Sequence, residues 1–214
     1  MREGTQLAHA AGLKLRLGEC GSAWGGGIAG FSDTFAAALW TTDFMFELVA
    51  AGVDGVNFHG GGTSHYSAIR DVVQPGHSQI EVCAPYYGLL LFAEAAAHDA
   101  RLLPVKIGDK KTSVKCWATR DRDGVVRVVL FNRHASASAQ VNIESAGKSA
   151  DVKRLTAPAL DATRGIRFAG QTFDDSKDGN PLGALQVEKI SRQETGFQIT
   201  LAPASAALLT IPAH

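Results

Sequence analysis

Between Leu13 and Trp40 the chain reads LKLRLGECGSAWGGGIAGFSDTFAAALW, and this span offers three different chemistries at once. Glu19 follows a short run of alternating apolar residues, so its carboxylate sits at the tip of a strand. A carboxylate there can attack the anomeric carbon of a sugar if a second carboxyl group, about 5–5.5 Å away, protonates the leaving oxygen. Cys20 is a thiol, which becomes a nucleophile only where a helix N-terminus or a histidine lowers its pKa. Gly25, Gly27 and Gly30 satisfy G-x-G-x-x-G, the spacing of a turn that cradles a dinucleotide pyrophosphate. Further along, His59, His65 and His77 could be imagined as metal ligands, but their spacing is irregular and no Asp or Glu stands in register with them.

These residues are only as useful as the elements that hold them. LKLRLGE reads as a strand, and SDTFAAALWTTDFMFELVAAG as a helix capped by Ser32 or Asp33 and stopped by Gly52. Phe35, Leu39, Phe46, Val49 and Ala50 recur at helical spacing and predict its buried face, with Phe44 also in the core. GVDGVNFHGGG is a second strand running into a glycine loop, and APYYGLLLFAEAAAHDA a second helix with Pro85 in its first turn. Tyr86 and Tyr87 open that helix and are expected to face the second half of the chain. Strand, helix, strand, helix is a parallel βαβα unit, whose chemistry lies at the C-terminal ends of its strands. Beyond Leu103 the pattern becomes alternating, in TSVKCWATRD, GVVRVVLFN, AQVNIES, ADVKRLTA, ALQVEKIS, TGFQITLA and SAALLTIP, with a hairpin turn at RDRDG. The expected fold class is therefore α/β plus all-β: residues 1–102 a partial α/β unit and 103–214 an antiparallel β-sandwich. Two parallel strands with two helices leave sheet edges unpaired and an apolar strand face uncovered, so residues 1–102 read as the tail of something larger, prone to self-association.

Composition narrows the classes. The chain has 214 residues with 21 Lys+Arg against 21 Asp+Glu, so neither nucleic acid nor an anionic membrane has a charge to bind. It contains no apolar run of about 18 residues, and its first twenty residues lack the apolar core of a signal peptide. Cys20, Cys83 and Cys116 are odd in number and far apart, which predicts free thiols. The dinucleotide reading fails on placement: GECGSAW separates strand from glycines, and the helix begins only after Phe31. CGSAW is similar to the nucleophile segment of papain-like proteases, but the glycines after Trp24 would break the helix that such a cysteine starts, and Ala23 replaces that pattern's second cysteine.

The remaining candidate is Glu19. LGECGSAWGGGIAGFSDTFAAALWTTDFMFEL, followed by AGVDGVNFHGG and HYSAI, closely resembles the last part of the barrel in the heparanase and β-glucuronidase family of retaining glycoside hydrolases, glycoside hydrolase family 79. VKCWATRDRDGVVRVVLFNRH through SAALLTIP is similar, with weaker motifs, to that family's accessory sandwich. The resemblance implies the last two βα units of a (β/α)8 barrel followed by the sandwich, and a hydrolase of glucuronic-acid-containing glycans. It places Glu19 on the family's nucleophile. It places the amides of Trp24, Gly25 and Gly26 and the hydroxyl of Tyr66 on the positions that hold the uronate carboxylate. Amides and a phenol bind an anion without setting a cation beside the developing oxocarbenium charge. Asn57 and His59, at the end of the second strand, are read as pocket lining or as structural residues. No cofactor and no metal are implied. Trp24 stands where the family usually has tyrosine. The family's acid/base, a glutamate after an asparagine, has no counterpart, because the chain contains no Asn-Glu pair. Glu3, Glu47 and Asp54 are the nearby carboxylates, and none is placed to substitute. Two roles follow from this: one part of a hydrolase whose acid lies on a barrel fragment outside this chain, or a non-catalytic carbohydrate-binding or oligomerising module.

Overall fold

The computed structural model describes residues 1–109 and 112–213. Helix α1 (Arg2–Ala10) leads into strand β1 (Arg16–Cys20), helix α2 (Phe35–Ala50) and strand β2 (Gly55–Phe58). The hairpin β3 (Ile69–Gln74) and β4 (His77–Val82) and helix α3 (Ala84–Ala95) follow. The strands β5 (Arg101–Leu103), β6 (Val114–Arg120), β7 (Val126–Asn132), β8 (Ala139–Ile143) and β9 (Ser149–Thr156) come next. The chain closes with β10 (Arg167–Phe168), β11 (Glu188–Ser191), β12 (Phe197–Leu201) and β13 (Ser205–Ile211). All seven strands expected from the alternating segments after Leu103 are present. Helix α1, the β3–β4 hairpin and the short strands β5 and β10 were not anticipated.

The centre of the molecule is an antiparallel seven-stranded sheet in the order β10-β9-β13-β7-β6-β5, with β11 also on β9. Its middle strands are apolar at nearly every position, because both faces are covered. Val128, Leu130, Val152, Ala207 and Leu209 face a two-stranded ribbon, β8–β12, and close on its Phe197, Ile199 and Leu201. The intervening residues Val129, Phe131, Leu155, Ala206 and Leu208 face the opposite way, onto Phe46 of α2 and Tyr87 and Leu91 of α3. The result is three layers: ribbon, sheet and helix pair.

Polar clasps fix the helices to the sheet. Lys115 of β6 reaches Asp43 at 2.8 Å and Glu47 at 2.6 Å, both on α2. The Trp117 indole donates to Asp43 at 2.7 Å and stacks on Phe46 with ring centres 5.5 Å apart. On α3, Glu94 pairs with Lys153 at 2.7 Å, and the Tyr87 hydroxyl accepts from the Phe173 amide at 2.7 Å. Tyr87 is thus fully buried against the second half of the chain, as its position predicted.

Three expectations need correction. Neither Ser32 nor Asp33 caps α2: the N-cap is Thr34, without a side-chain cap bond, and the Phe35 and Ala36 amides donate to the carbonyls of Ala162 and Leu160. Tertiary contact has supplied the acceptors that a capping side chain normally provides. Val49 is 42% exposed, because the face of α2 that meets α3 and the sheet runs through Phe35, Ala38, Thr42 and Phe46. Phe44 is only half-buried, stacked on Trp40 and edge-on to Phe58 of β2, on the side of α2 that covers the parallel strands. The stop at Gly52 is as expected, with φ +82° and the Val53 amide returning to the Leu48 carbonyl.

Helices α2 and α3 meet where Gly88 has no side chain. A Cβ there would overlap the Ala38 carbonyl oxygen and come within 2.8 Å of Thr41 Cβ, and the Thr42 hydroxyl donates to the Gly88 carbonyl at 2.9 Å. Gly88→Ala should therefore destabilise the chain by about 1–3 kcal/mol, the usual cost of overpacking a core, measured by denaturant unfolding.

In the turn joining β6 to β7, Asp121 accepts from the amides of Asp123 and Val125 and from Arg127 at 2.7 Å. The Arg127 hydrogen bond, helped by these amides against the cost of burial, holds the Asp121 carboxyl below the usual carboxylate range. A carboxyl with a lowered folded-state pKa stabilises the fold above its unfolded value of about 3.9, and that contribution disappears as pH falls through the folded value. Asp121→Asn should lower stability at neutral pH and flatten the loss of stability below about pH 4, read by urea unfolding across pH 2 to 7.

Candidate active site

Strand β1 pairs with β2 in parallel, Arg16 opposite Gly55 and Leu17 opposite Val56, and then slips so that Cys20 meets Phe58. Gly18 and Glu19 occupy the slip, and both are exposed. The ladder continues beyond the strand end, where the His59 amide donates to the Cys20 carbonyl at 2.8 Å. The exposed positions of the strand pair are Arg16, Gly18, Glu19 and Asn57, while Leu17, Val56 and Phe58 are half-buried. The uncovered face is therefore polar, which corrects the expected apolar one. Arg16 donates to Asn57 at 2.5 Å, and Asn57 donates to the Gly18 carbonyl at 3.3 Å. Asn57 thus braces the strand end that carries Glu19.

The loop after Glu19 folds back over the next segment. The Tyr66 ring lies on Gly21, where a Cβ would fall 2.8 Å from the ring. Gly27, at φ +85°, comes so close that a Cβ would sit 2.8 Å from the Tyr66 amide nitrogen. The His65 amide donates to the Gly26 carbonyl at 2.7 Å, locking the two loops together. Within this loop the Ile28 amide is taken by Ser32 and the Gly30 amide by Asp33. The amides of Trp24, Gly25 and Gly26 make no hydrogen bond among the described residues. Tyr66 is buried, and its hydroxyl meets His59 Nδ1 at 2.5 Å. The Trp24 side chain is 98% exposed and stands clear of this cluster.

Sequence reasoning missed a second network beneath the loop. Asp33 holds the Gly30 amide with one oxygen, and with the other it meets His65 Nδ1 at 3.2 Å and Arg70 at 3.8 Å; Arg70 pairs in turn with Glu81 at 2.8 Å. These residues share no periodicity, and the only sequence signal was that Asp33 stands just ahead of a helix whose cap it does not form.

The same structure bears on the rival chemistries. Burial pushes the Cys20 thiol up from its ordinary value, opposite to an activated nucleophile, and the buried Cys83 and Cys116 thiols rise to about 11 and about 12. His59 and His65 turn to different partners, and the His77 side chain lies outside the described residues. Among the described residues no three His, Cys, Asp or Glu side chains are grouped for a metal. Glu47 is occupied by Lys115, and Asp54 by His9 and the Leu15 amide. Both carboxylates are thus held by partners of their own.

Residues 116–208 match the glycosyl hydrolase family 79 C-terminal β domain. A β-glucuronidase of Neurospora crassa is 34% identical over 88% of this chain, and one of Aspergillus niger is 28% identical over 94% of it. The chain carries the C-terminal part of a family 79 glycoside hydrolase. It spans only 41% and 42% of the length of those two relatives. A solved 4-O-α-L-rhamnosyl-β-D-glucuronidase from Fusarium oxysporum 12S in complex with Rha-GlcA is similar over 98% of the chain, at 25% identity and TM-score 0.82, covering 46% of that protein. A family 51 α-L-arabinofuranosidase from Thermotoga petrophila shares the fold at 14% identity and TM-score 0.71, over 98% of this chain and 45% of that one.

Within this family 79 chain Asp33 is the residue that ties the glycine loop to the Tyr66 loop. Asp33→Ala should speed amide hydrogen exchange at Gly30 by roughly tenfold or more, the loss of a hydrogen bond to a charged acceptor, while exchange in the interior of α2 stays unchanged.

Proposed function

We propose that this chain is the C-terminal portion of a retaining β-glucuronidase or heparanase-like hydrolase acting on glucuronic-acid-containing glycans. In this reading residues 1–102 are the last βα units of a (β/α)8 barrel and 103–214 the accessory β-sandwich. The observation that carries it is the position of Glu19 at the C-terminal end of a parallel strand, followed by a glycine loop that folds back on the Tyr66 ring and backbone. Barrel enzymes place their chemistry at that end. Two β-glucuronidases as relatives, and a glucuronidase solved with a glucuronic-acid-containing disaccharide, support the substrate class.

Glu19 is the nucleophile that forms the glycosyl-enzyme intermediate. The amides of Trp24, Gly25 and Gly26 and the hydroxyl of Tyr66 receive the uronate carboxylate, and Asn57 and His59 support them. The acid/base lies on a polypeptide outside these 214 residues, which makes an N-terminal barrel fragment the chain's natural partner. Self-association through the unpaired edges of β1 and β2 is the competing outcome. Among the described residues Glu47 and Asp54 are engaged by Lys115 and His9, which favours a second reading, a non-catalytic module that binds the sugar without cleaving it.

The two readings separate by experiment. General acid assistance is worth roughly 10²–10⁴-fold, so the chain alone should not turn over natural β-glucuronides. Mixing it with a polypeptide carrying the other barrel strands should restore hydrolysis, and Glu19→Gln should abolish that activity while assembly persists. Glucuronate should bind more tightly than glucose, and Tyr66→Phe should reduce the preference by about 1–3 kcal/mol. Equal binding of the two sugars would remove the uronate assignment, and full activity of the isolated chain would place the acid within it.

A further inference from the structure

Tyr66 and His59 stand at the two ends of the segment that follows β2 and meet through their side chains, and the pair raises a question of direction. A phenol carries one proton and two acceptor lone pairs. With Tyr66 Oη 2.5 Å from His59 Nδ1, either the phenol donates to the ring or the ring donates to the phenol. If the phenol donates, its only proton is spent on His59, and what it can offer a ligand is an oxygen lone pair. That surface repels a carboxylate. If Nδ1 carries the proton and donates, the phenol proton is left for the ligand, and Tyr66 joins the unengaged amides of Trp24, Gly25 and Gly26 as an anion donor.

The geometry holds both partners in place for this. The Tyr66 ring is buried and rests on Gly21, where no side chain fits beneath it. The His59 backbone is fixed by its amide bond to Cys20, and its ring stands edge-on to Tyr66 with centres 5.4 Å apart. The imidazole is otherwise exposed, so Nε2 reaches water, which can donate to it when Nδ1 holds the proton. A protonated Nδ1 therefore leaves no buried group unpaired.

We propose that His59 is a positioning residue that sets the polarity of the Tyr66 hydroxyl: by donating from Nδ1 it frees the phenol proton for an anionic sugar, and so makes the site selective for uronates. The proposal rests on the uronate reading above. It assigns His59 a role through Tyr66, without contact to the sugar ring. Binding of a uronate and a proton on Nδ1 then favour one another, whereas a neutral sugar is indifferent to which partner donates.

The test uses the full chain with methyl β-D-glucuronide and methyl β-D-glucoside as probes, followed by calorimetry, and imidazole ¹⁵N shifts to read the protonated nitrogen. His59→Ala should lower the glucuronide-over-glucoside preference by roughly tenfold or more, to the level of Tyr66→Phe, and the double variant should fall no further. His59→Asn, whose amide nitrogen can take the place of Nδ1, should restore most of the preference. The glucuronide-bound chain should show Nδ1 protonated. A His59→Ala chain that keeps the full preference, a His59→Asn chain that falls as far as His59→Ala, or a bound state with Nδ1 unprotonated would each overturn the proposal. Absence of any preference in the unsubstituted chain would overturn the uronate reading itself. In that event the ¹⁵N shifts of the free chain still decide the direction of the bond, and an unprotonated Nδ1 overturns the claim that His59 donates to Tyr66.

Discussion

The close approach of α3 to the backbone of α2, permitted by Gly88, is the contact on which the rest of the molecule depends. It lets the two helices present one continuous apolar surface to the central sheet, with Phe46, Tyr87 and Leu91 filling the gap against Val129, Phe131 and Leu208. The other side of α2 holds Phe44 and Trp40 against Phe58 of β2. The strand ends that carry Glu19 and His59 are thus mounted on the β layers through a single helix. Rigid support of this kind is what a site built from loops needs, because loops alone hold side chains poorly.

The central strands of the sheet were plain in the sequence as apolar runs, because each has two different apolar neighbours to satisfy. Val128 and Leu130 answer to the ribbon, and Val129 and Phe131 to the helices. Where that demand weakens, the signal weakens. Strand β5 is three residues long, and β10 two, each too short to alternate. The β3–β4 hairpin mixes Arg70, Asp71, Gln79 and Glu81 among its apolar residues and leaves Ile69 and Ile80 exposed. Its turn at Pro75-Gly76 joins strands whose sequence does not look buried on either face. The cap of α2 was misread for another reason: the acceptors for its first amides come from residues 160–162, more than a hundred positions away. No local pattern encodes such a contact.

Of the candidate site, the strand-end carboxylate and the glycine loop were legible because each obeys a local rule, position in a strand or freedom of the backbone. The pairings that organise them were not. His59 meets Tyr66 within one irregular segment and Asp33 meets His65 across two, where neither period nor spacing constrains which side chains meet. Asn57 was noticed singly, and only the register of β1 on β2 shows that Arg16 braces it on the open face.

That open face also governs how strongly charge acts on it. Glu19 stands in water, where a unit charge about 4 Å away is felt at only about 1 kcal/mol, against about 4 kcal/mol at the effective dielectric near a protein surface. A well-hydrated carboxylate must shed its water before it can attack, and what would strip that water is any protein surface laid over Arg16, Glu19 and Asn57. Covering the polar face of two strands thus changes the reactivity of one oxygen through its hydration, with no change in its position.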